Sequence, residues 1–156
     1  VCVIDSFKIF DKGYKTTNPI QIHYLKPILP SEYADLSTTQ IAELVKSAEK
    51  SVVFIDPFAD VTALNFAAFR KPKVTAIVYT ARITPTLQNQ TEIHNRQYPG
   101  LQLRSMRQVH DRFLLIDDRV YHFGASFKDM GNGLCGYSIM DFATVEQVME
   151  MVEANG

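Results

Sequence analysis

His110 and Arg112 stand two residues apart at the head of an apolar run, Phe113 to Ile116, which closes on Asp117. Side chains two apart on a strand point to the same face. An imidazole and a fixed cation are therefore expected to project side by side from the start of a strand. Such a pair suits a phosphate: the imidazole can attack or accept protons, and the guanidinium can hold the anion. A second apolar run, Val120 to Phe123, leads into Gly124-Ala125-Ser126. Small residues there let backbone N–H groups approach an anion closely. Lys128 adds a second cation just beyond.

The pattern His110-x-Arg112-x4-Asp117, followed by Gly124-Ala125-Ser126, resembles the H-x-K-x4-D motif and later Gly/Ser element of the phospholipase D superfamily. The fuller reading, H-D-R-F-L-L-I-D-D with Y-H-F-G-A-S-F-K-D, is more similar to a bacterial branch of PLD-like domains. Some of that branch form the C-terminal parts of phage-related proteins expected to bind DNA. The resemblance spans roughly Thr38 to Met140, with its specificity concentrated between Val109 and Asp129.

The resemblance implies an activity and an assembly. Enzymes of this kind place two such motifs around one site: one histidine attacks phosphorus and the other protonates the leaving oxygen. A single copy, as here, implies a two-fold homodimer in which each protomer supplies half of the site. His110 is then nucleophile in one subunit and general acid in the other, and Arg112 clamps phosphate oxygens. Gly124, Ser126 and Lys128 complete the phosphate cradle, and Asp117 ties down the backbone around the motif. The implied reaction is phosphodiester hydrolysis through a phosphohistidine, with no metal and no cofactor. Nucleic acid, DNA foremost, is preferred over phospholipid as partner, because no membrane anchor or amphipathic membrane helix is visible.

Three departures from the family pattern support an alternative. Arg112 replaces Lys and changes the hydrogen-bond geometry. Lys128 stands where the family has Asn, and Gly133 to Met140 contains no acidic residue to orient the histidine. The alternative is a catalytically inactive PLD-like module that binds nucleic acid or dimerises within a larger regulatory or phage-defence protein. A plainer reading pairs His110 and Arg112 with Asp111, Asp117 or Asp118 in a structural hairpin.

Asp56 follows the apolar run Ser51 to Ile55, at the strand end where open α/β sheets present ligands. It is an accessory site candidate, although a cap or turn before Pro57 is the favoured explanation, since strand-end Asp residues commonly serve turns. His23, His94 and His122 read as surface or packing residues, His122 through a cross-strand contact.

The elements that position these residues alternate between strand and helix from residue 38 onward. The expected fold is an α/β layered sandwich with a mixed, mostly parallel central sheet flanked by helices. Ser37-Thr-Thr-Gln40 carries a capping-box pattern before a helix with Ile41, Leu44, Val45 and Ala48 inward. Asp60 caps a short helix, and Val74 to Tyr79 supplies a strand covered on both faces. Thr84-Pro85 starts a helix that reaches about Tyr98, with Leu87 and Ile93 as core anchors. Leu101 to Met106 alternates as a strand, and Asp118-Arg119 joins the motif strand to Val120–Phe123 as a hairpin. Tyr137 to Met140 forms a last strand, and Asp141 caps a final helix with Val145, Val148, Met149 and Val152 inward.

Residues 1–35 are expected to be an N-terminal extension of edge strands or a linker, and residues 36–156 the PLD-like domain. Val1–Ile4, Phe7–Phe10 and Ile20–Leu25 are its candidate strands. The chain begins with Val, consistent with a piece of a longer protein.

Composition narrows the class. At 156 residues the chain suits one domain, and its 46% apolar and 21% charged content is that of an ordinary globular protein. A net charge of −1 argues against a strongly basic nucleic-acid binder while leaving a local basic patch open. Cys2 and Cys135 lack metal-ligand spacing and are too few for a disulfide framework, so a reducing, cytoplasmic setting is expected. No run is long enough to span a bilayer.

Overall fold

The strand Ser51–Ile55 (β2) sorts its side chains to two faces, and the rest of the chain is layered accordingly. Val52 and Phe54 join one core, Val53 and Ile55 the other. The computed structural model describes residues 22–24, 30–132 and 135–154, with side chains described from residue 38 onward. The described strands form one seven-stranded sheet. Besides β2 they are β1 (Ile22–Tyr24), β3 (Thr75–Thr80), β4 (Leu101–Ser105), β5 (Arg112–Ile116), β6 (Arg119–Phe123) and β7 (Gly136–Ile139).

The order across the sheet is β1-β7-β6-β5-β2-β3-β4. Only β2–β3 and β3–β4 pair in parallel; the β1–β7, β7–β6, β6–β5 and β5–β2 pairs are antiparallel. The α/β fold and the mixed sheet are as the sequence predicts, but the expectation of a mostly parallel sheet is corrected. Helices connect β2 to β3 and β3 to β4, the two parallel pairs, whereas the two-residue link between β5 and β6 forces that pair to run antiparallel.

Three helices cover one face: α1 (Pro30–Ser47), α2 (Val61–Ala67) and α3 (Pro85–Gln97). Ile41, Val45, Ala63, Leu64 and Leu87 pack there against Val52, Phe54, Val78 and Leu114. The final helix, α4 (Val145–Ala154), covers the other face with Val148 and Val152. Tyr79 donates its hydroxyl to Glu153 at 2.9 Å and receives Arg104 Nη1 at 3.1 Å, which pins α4 to the sheet.

Caps explain most boundaries. Asp60 accepts from Thr62 N at 2.8 Å, and Thr84 accepts from Leu87 N with Pro85 starting the helix, as expected. Three local expectations are corrected. Ser37 starts no helix, because α1 begins at Pro30, a residue preorganised for the first turn, and runs through residue 36. Asp141 does not cap α4: Thr144 does, accepting from Gln147 N at 3.2 Å while Gln147 Oε1 accepts from Thr144 N at 3.0 Å. Ile93 is 46% exposed, and Thr91 is the buried residue beside Leu87.

The hairpin turn also falls one residue earlier than read. Ile116 pairs with Arg119, so the link is Asp117-Asp118, with Asp117 at φ +53°. Aspartate tolerates this left-handed backbone better than most residues. Of the N-terminal candidates, Ile22–Tyr24 is observed as β1, whereas Val1–Ile4 and Phe7–Phe10 lie outside the described residues. Among the described residues no helix is long and apolar enough to cross a membrane.

Candidate phosphate-binding site

Strand register brings the candidate residues to one end of the sheet, except Asp117, which lies at the other end beside the start of β2. Ile55 pairs with Phe113, which sets Asp56 opposite the start of β5, and Phe123 pairs with Tyr137, which sets Gly124 beside the start of β7. The parallel strands β2, β3 and β4 all end here, at the edge where α/β sheets expose backbone and loops to ligands.

Asp56 is the hub. Its side chain is wholly buried. One carboxylate oxygen accepts from Phe58 N at 2.9 Å; the other accepts from Ser126 Oγ at 2.6 Å and from Phe127 N at 2.9 Å. The two readings of Asp56 therefore merge: it closes the turn before Phe58 and also fastens the loop after β6 to the end of β2. Phe127, fully buried, reinforces the tether with an edge contact to Phe54 and a tilted contact to Phe123, ring centres 5.2 Å apart in both. The turn is held from its other side as well, since Ala81 N and Thr80 Oγ1 both donate to the Pro57 carbonyl.

Arg112 opens β5 on the same face as Leu114, and the guanidinium carbon lies 5.8 Å from the Phe58 ring centre. Its Nε is buried and has no hydrogen-bond partner among the described residues. Lys128 reaches the same ring, its Nζ 5.3 Å from the centre. Neither cation pairs with a carboxylate among the described residues. Of the acids, Asp56 is engaged as above and Asp111 lies 3.4 Å from His122, while Asp117 is at the far end of β5, held by backbone.

His110 stands in the loop just before β5 and is exposed, rather than projecting from the strand beside Arg112 as expected. The β-ladder begins only at the Arg112–Phe123 pair, and Gln108 takes a left-handed φ of +56° in the approach. His122 packs across the hairpin on Phe113, ring centres 5.4 Å apart, as the sequence predicts. The hairpin reading in which Asp111, Asp117 or Asp118 neutralises His110 and Arg112 finds no support among the described contacts.

Two of the predicted cradle atoms are already occupied. Gly124 N donates to the Gly136 carbonyl at 3.1 Å, and the Ser126 hydroxyl, 1% exposed, donates to Asp56. Asp117 accepts from the backbone N–H groups of Glu49, Lys50 and Ser51 at 2.7–3.0 Å, joining the hairpin turn to the start of β2. Burial pushes its carboxyl upward, but the three N–H donors outweigh that and hold it below its ordinary range.

Sequence reading gave Phe58 no role, and placed no weight on the position of Cys135. Phe58 is 56% exposed with both cations within 5.8 Å of its ring centre, and its only signal was an aromatic directly after the strand-ending Asp56-Pro57. Cys135 is a buried free thiol whose pKa is raised by burial, partly offset by the Ala125 backbone and the Arg112 charge. Among the described residues no group of three or more His, Cys, Asp or Glu could hold a metal ion.

No protein-family model and no curated protein matches the chain in sequence. Solved structures do match in fold. NucT from Helicobacter pylori aligns with a TM-score of 0.55 at 10% identity, over 88% of this chain and 92% of that one. Polyphosphate kinase from Porphyromonas gingivalis aligns with a TM-score of 0.58 at 12% identity, over 88% of this chain and 24% of that one. TrmBL2, an archaeal chromatin protein with a novel mode of DNA binding, aligns with a TM-score of 0.56 at 15% identity. That match covers 96% of this chain, which spans about half of the TrmBL2 chain (55%). At these identities the likeness is one of fold: the chain shares the architecture of these structures over most of its length.

Proposed function

We propose that this chain is a nucleic-acid phosphodiester hydrolase whose site is completed by a second copy of itself. The observation that carries the reading is the convergence of Arg112 and Lys128 on Phe58, with neither cation paired to a carboxylate among the described residues. Two cations held together without a counter-charge repel one another, and an anion between them relieves the repulsion. A phosphodiester is the anion that the His110-x-Arg112 pattern fits.

In the proposed reaction, an imidazole nitrogen of His110 forms a bond to phosphorus as the P–O bond to the leaving alcohol breaks. His110 of the second copy protonates that leaving oxygen. The same group then deprotonates the water that attacks the phosphohistidine, releasing a phosphomonoester and restoring both histidines. Arg112 stabilises charge on the non-bridging oxygens, and Lys128 adds to that field. Asp56, Ser126 and Gly124 act by fixing the loop that carries Lys128. The exposure of His110 at a loop, rather than in a closed pocket, agrees with a site that needs a partner protomer.

The test is cleavage of single- and double-stranded DNA and RNA in EDTA, comparing the wild type with His110→Ala, alongside light scattering for the dimer. Wild-type cleavage that His110→Ala abolishes, with fold and dimer intact, is the expected result. Equal cleavage by both proteins would place the chemistry elsewhere. The departures at Arg112 and Lys128 favour a second reading, a binding module without turnover. Salt-sensitive binding with no cleavage by either protein would select it.

A further inference from the structure

We propose that Phe58 is a stacking platform for an unpaired base, so that the site takes single-stranded nucleic acid in preference to duplex. The inference rests on the reading that Arg112 and Lys128 hold a phosphodiester. It deepens that reading by assigning the ring that both cations reach.

Phe58 is unusual for an exposed aromatic because nothing about its position is loose. Its own N–H is held by Asp56 Oδ1 at 2.9 Å, and Ala59 N bonds the Asp56 carbonyl at 3.0 Å. Ala59 is buried, and Pro57 O receives two donors from the end of β3. A rigid turn thus presents a ring that is 56% exposed and contributes little to either core. Leaving that apolar area in water forgoes burial free energy, which a base stacked on the ring would recover.

The two cations complete the chemistry. Phosphates flank every base along a strand, and here a cation reaches the ring from each of two separate elements, β5 and the short helix Phe127–Asp129. A positively charged groove with an aromatic platform is the general solution for binding single strands, because every base has a π-face. In a duplex the bases are already stacked and their faces are not free.

The experiment uses fluorescence anisotropy of labelled oligo(dT), an abasic deoxyribose-phosphate oligomer of equal length, and a blunt duplex. The wild type, Phe58→Ala, Phe58→Leu and Arg112→Ala are compared at low salt. Phe58→Ala and Phe58→Leu are expected to weaken oligo(dT) binding by about 5- to 100-fold and to leave the abasic oligomer unchanged. Arg112→Ala is expected to weaken both. The chain contains no Trp, so Phe58→Trp supplies a single reporter. Its emission should be quenched by oligo(dT) but not by the abasic oligomer or inorganic phosphate.

If the Phe58 variants weaken both oligomers equally, Phe58 only positions the cations and the inference is overturned. If they weaken neither, or if wild type prefers the duplex, it is overturned as well, while an Arg112 effect would leave the phosphodiester reading standing. Binding of no oligomer, or full indifference to Arg112→Ala, would overturn both. Because Phe58 is exposed, thermal melts of its variants should match the wild type and exclude misfolding as the cause.

Discussion

Removing the Asp56 carboxylate should loosen the site far more than removing its best-placed donor. Asp56 accepts three hydrogen bonds at 2.6–2.9 Å and is fully shielded from water. In Ser126→Ala the carboxylate keeps the N–H groups of Phe58 and Phe127, and a hydrogen bond to a charged acceptor contributes about 1.5–3 kcal/mol. The cost should fall at the low end, about 1.5 kcal/mol. In Asp56→Ala all three donors are stranded, two of them buried, at about 1–3 kcal/mol each. Partial relaxation makes about 3–5 kcal/mol a reasonable total, which for a chain of this size lowers Tm by roughly 10–15 °C. Urea unfolding followed by circular dichroism measures both. Equal losses for Ser126→Ala and Asp56→Ala would refute the reasoning, because the hub would then be the hydroxyl. Oligonucleotide binding separates the roles further: a tethering Ser126 loses affinity only as the loop loosens. A tenfold loss of binding at unchanged stability would instead make Ser126 a direct phosphate ligand.

Two partly buried contacts should respond to pH, and one cap to truncation. Asp117 has its folded-state pKa depressed, so its contribution is present above the unfolded value near 3.8 and lost as pH falls through the folded value. Asp117→Ala should cost about 2 kcal/mol at pH 7, with the gap from wild type closing below pH 3.8 in acid titrations of stability. His94 is lowered from 6.5 by burial and then by Arg70, whose Nη1 lies 3.0 Å from its Nε2 and requires an acceptor there. Its neutral form therefore stabilises the fold fully above pH 6.5, and that contribution fades as pH drops toward the folded value. Comparing Tm at neutral and mildly acidic pH for wild type and His94→Gln checks this; an identical pH slope in both would reject it. Thr144→Ala should cost about 1 kcal/mol through loss of the α4 cap, and an Asp141→Ala loss of the same size would contradict the observed boundary.

Much of the architecture was legible because it depends on local pattern. The apolar runs at Ser51–Ile55, Thr75–Thr80 and Arg112–Ile116 mark strands, and Asp60 and Thr84-Pro85 mark helix starts that side chains do cap. The misreadings share one cause, competition between equivalent local signals. Ser37-x-x-Gln40 and Thr144-x-x-Gln147 carry the same capping pattern, yet only the second caps a helix, because Pro30 had already started α1 upstream. Ile93 has the hydrophobicity of an anchor but faces water, since the turn of α3 that meets the sheet carries Leu87 and Thr91.

The sequence by itself determined the two-sided α/β layering and grouped His110, Arg112, Ser126 and Lys128 along one stretch, because periodicity and spacing are properties of the chain alone. Only the tertiary structure decided which atoms remain free to meet a ligand. Asp56 lies 70 residues from Ser126, and their hydrogen bond exists only because β2 and β5 pair side by side. The same pairing carries Phe58 to Arg112 and commits Asp117 to the backbone of residues 49–51. Strand order is set by how distant apolar faces pack and by how connections close, and no local window of sequence contains that information.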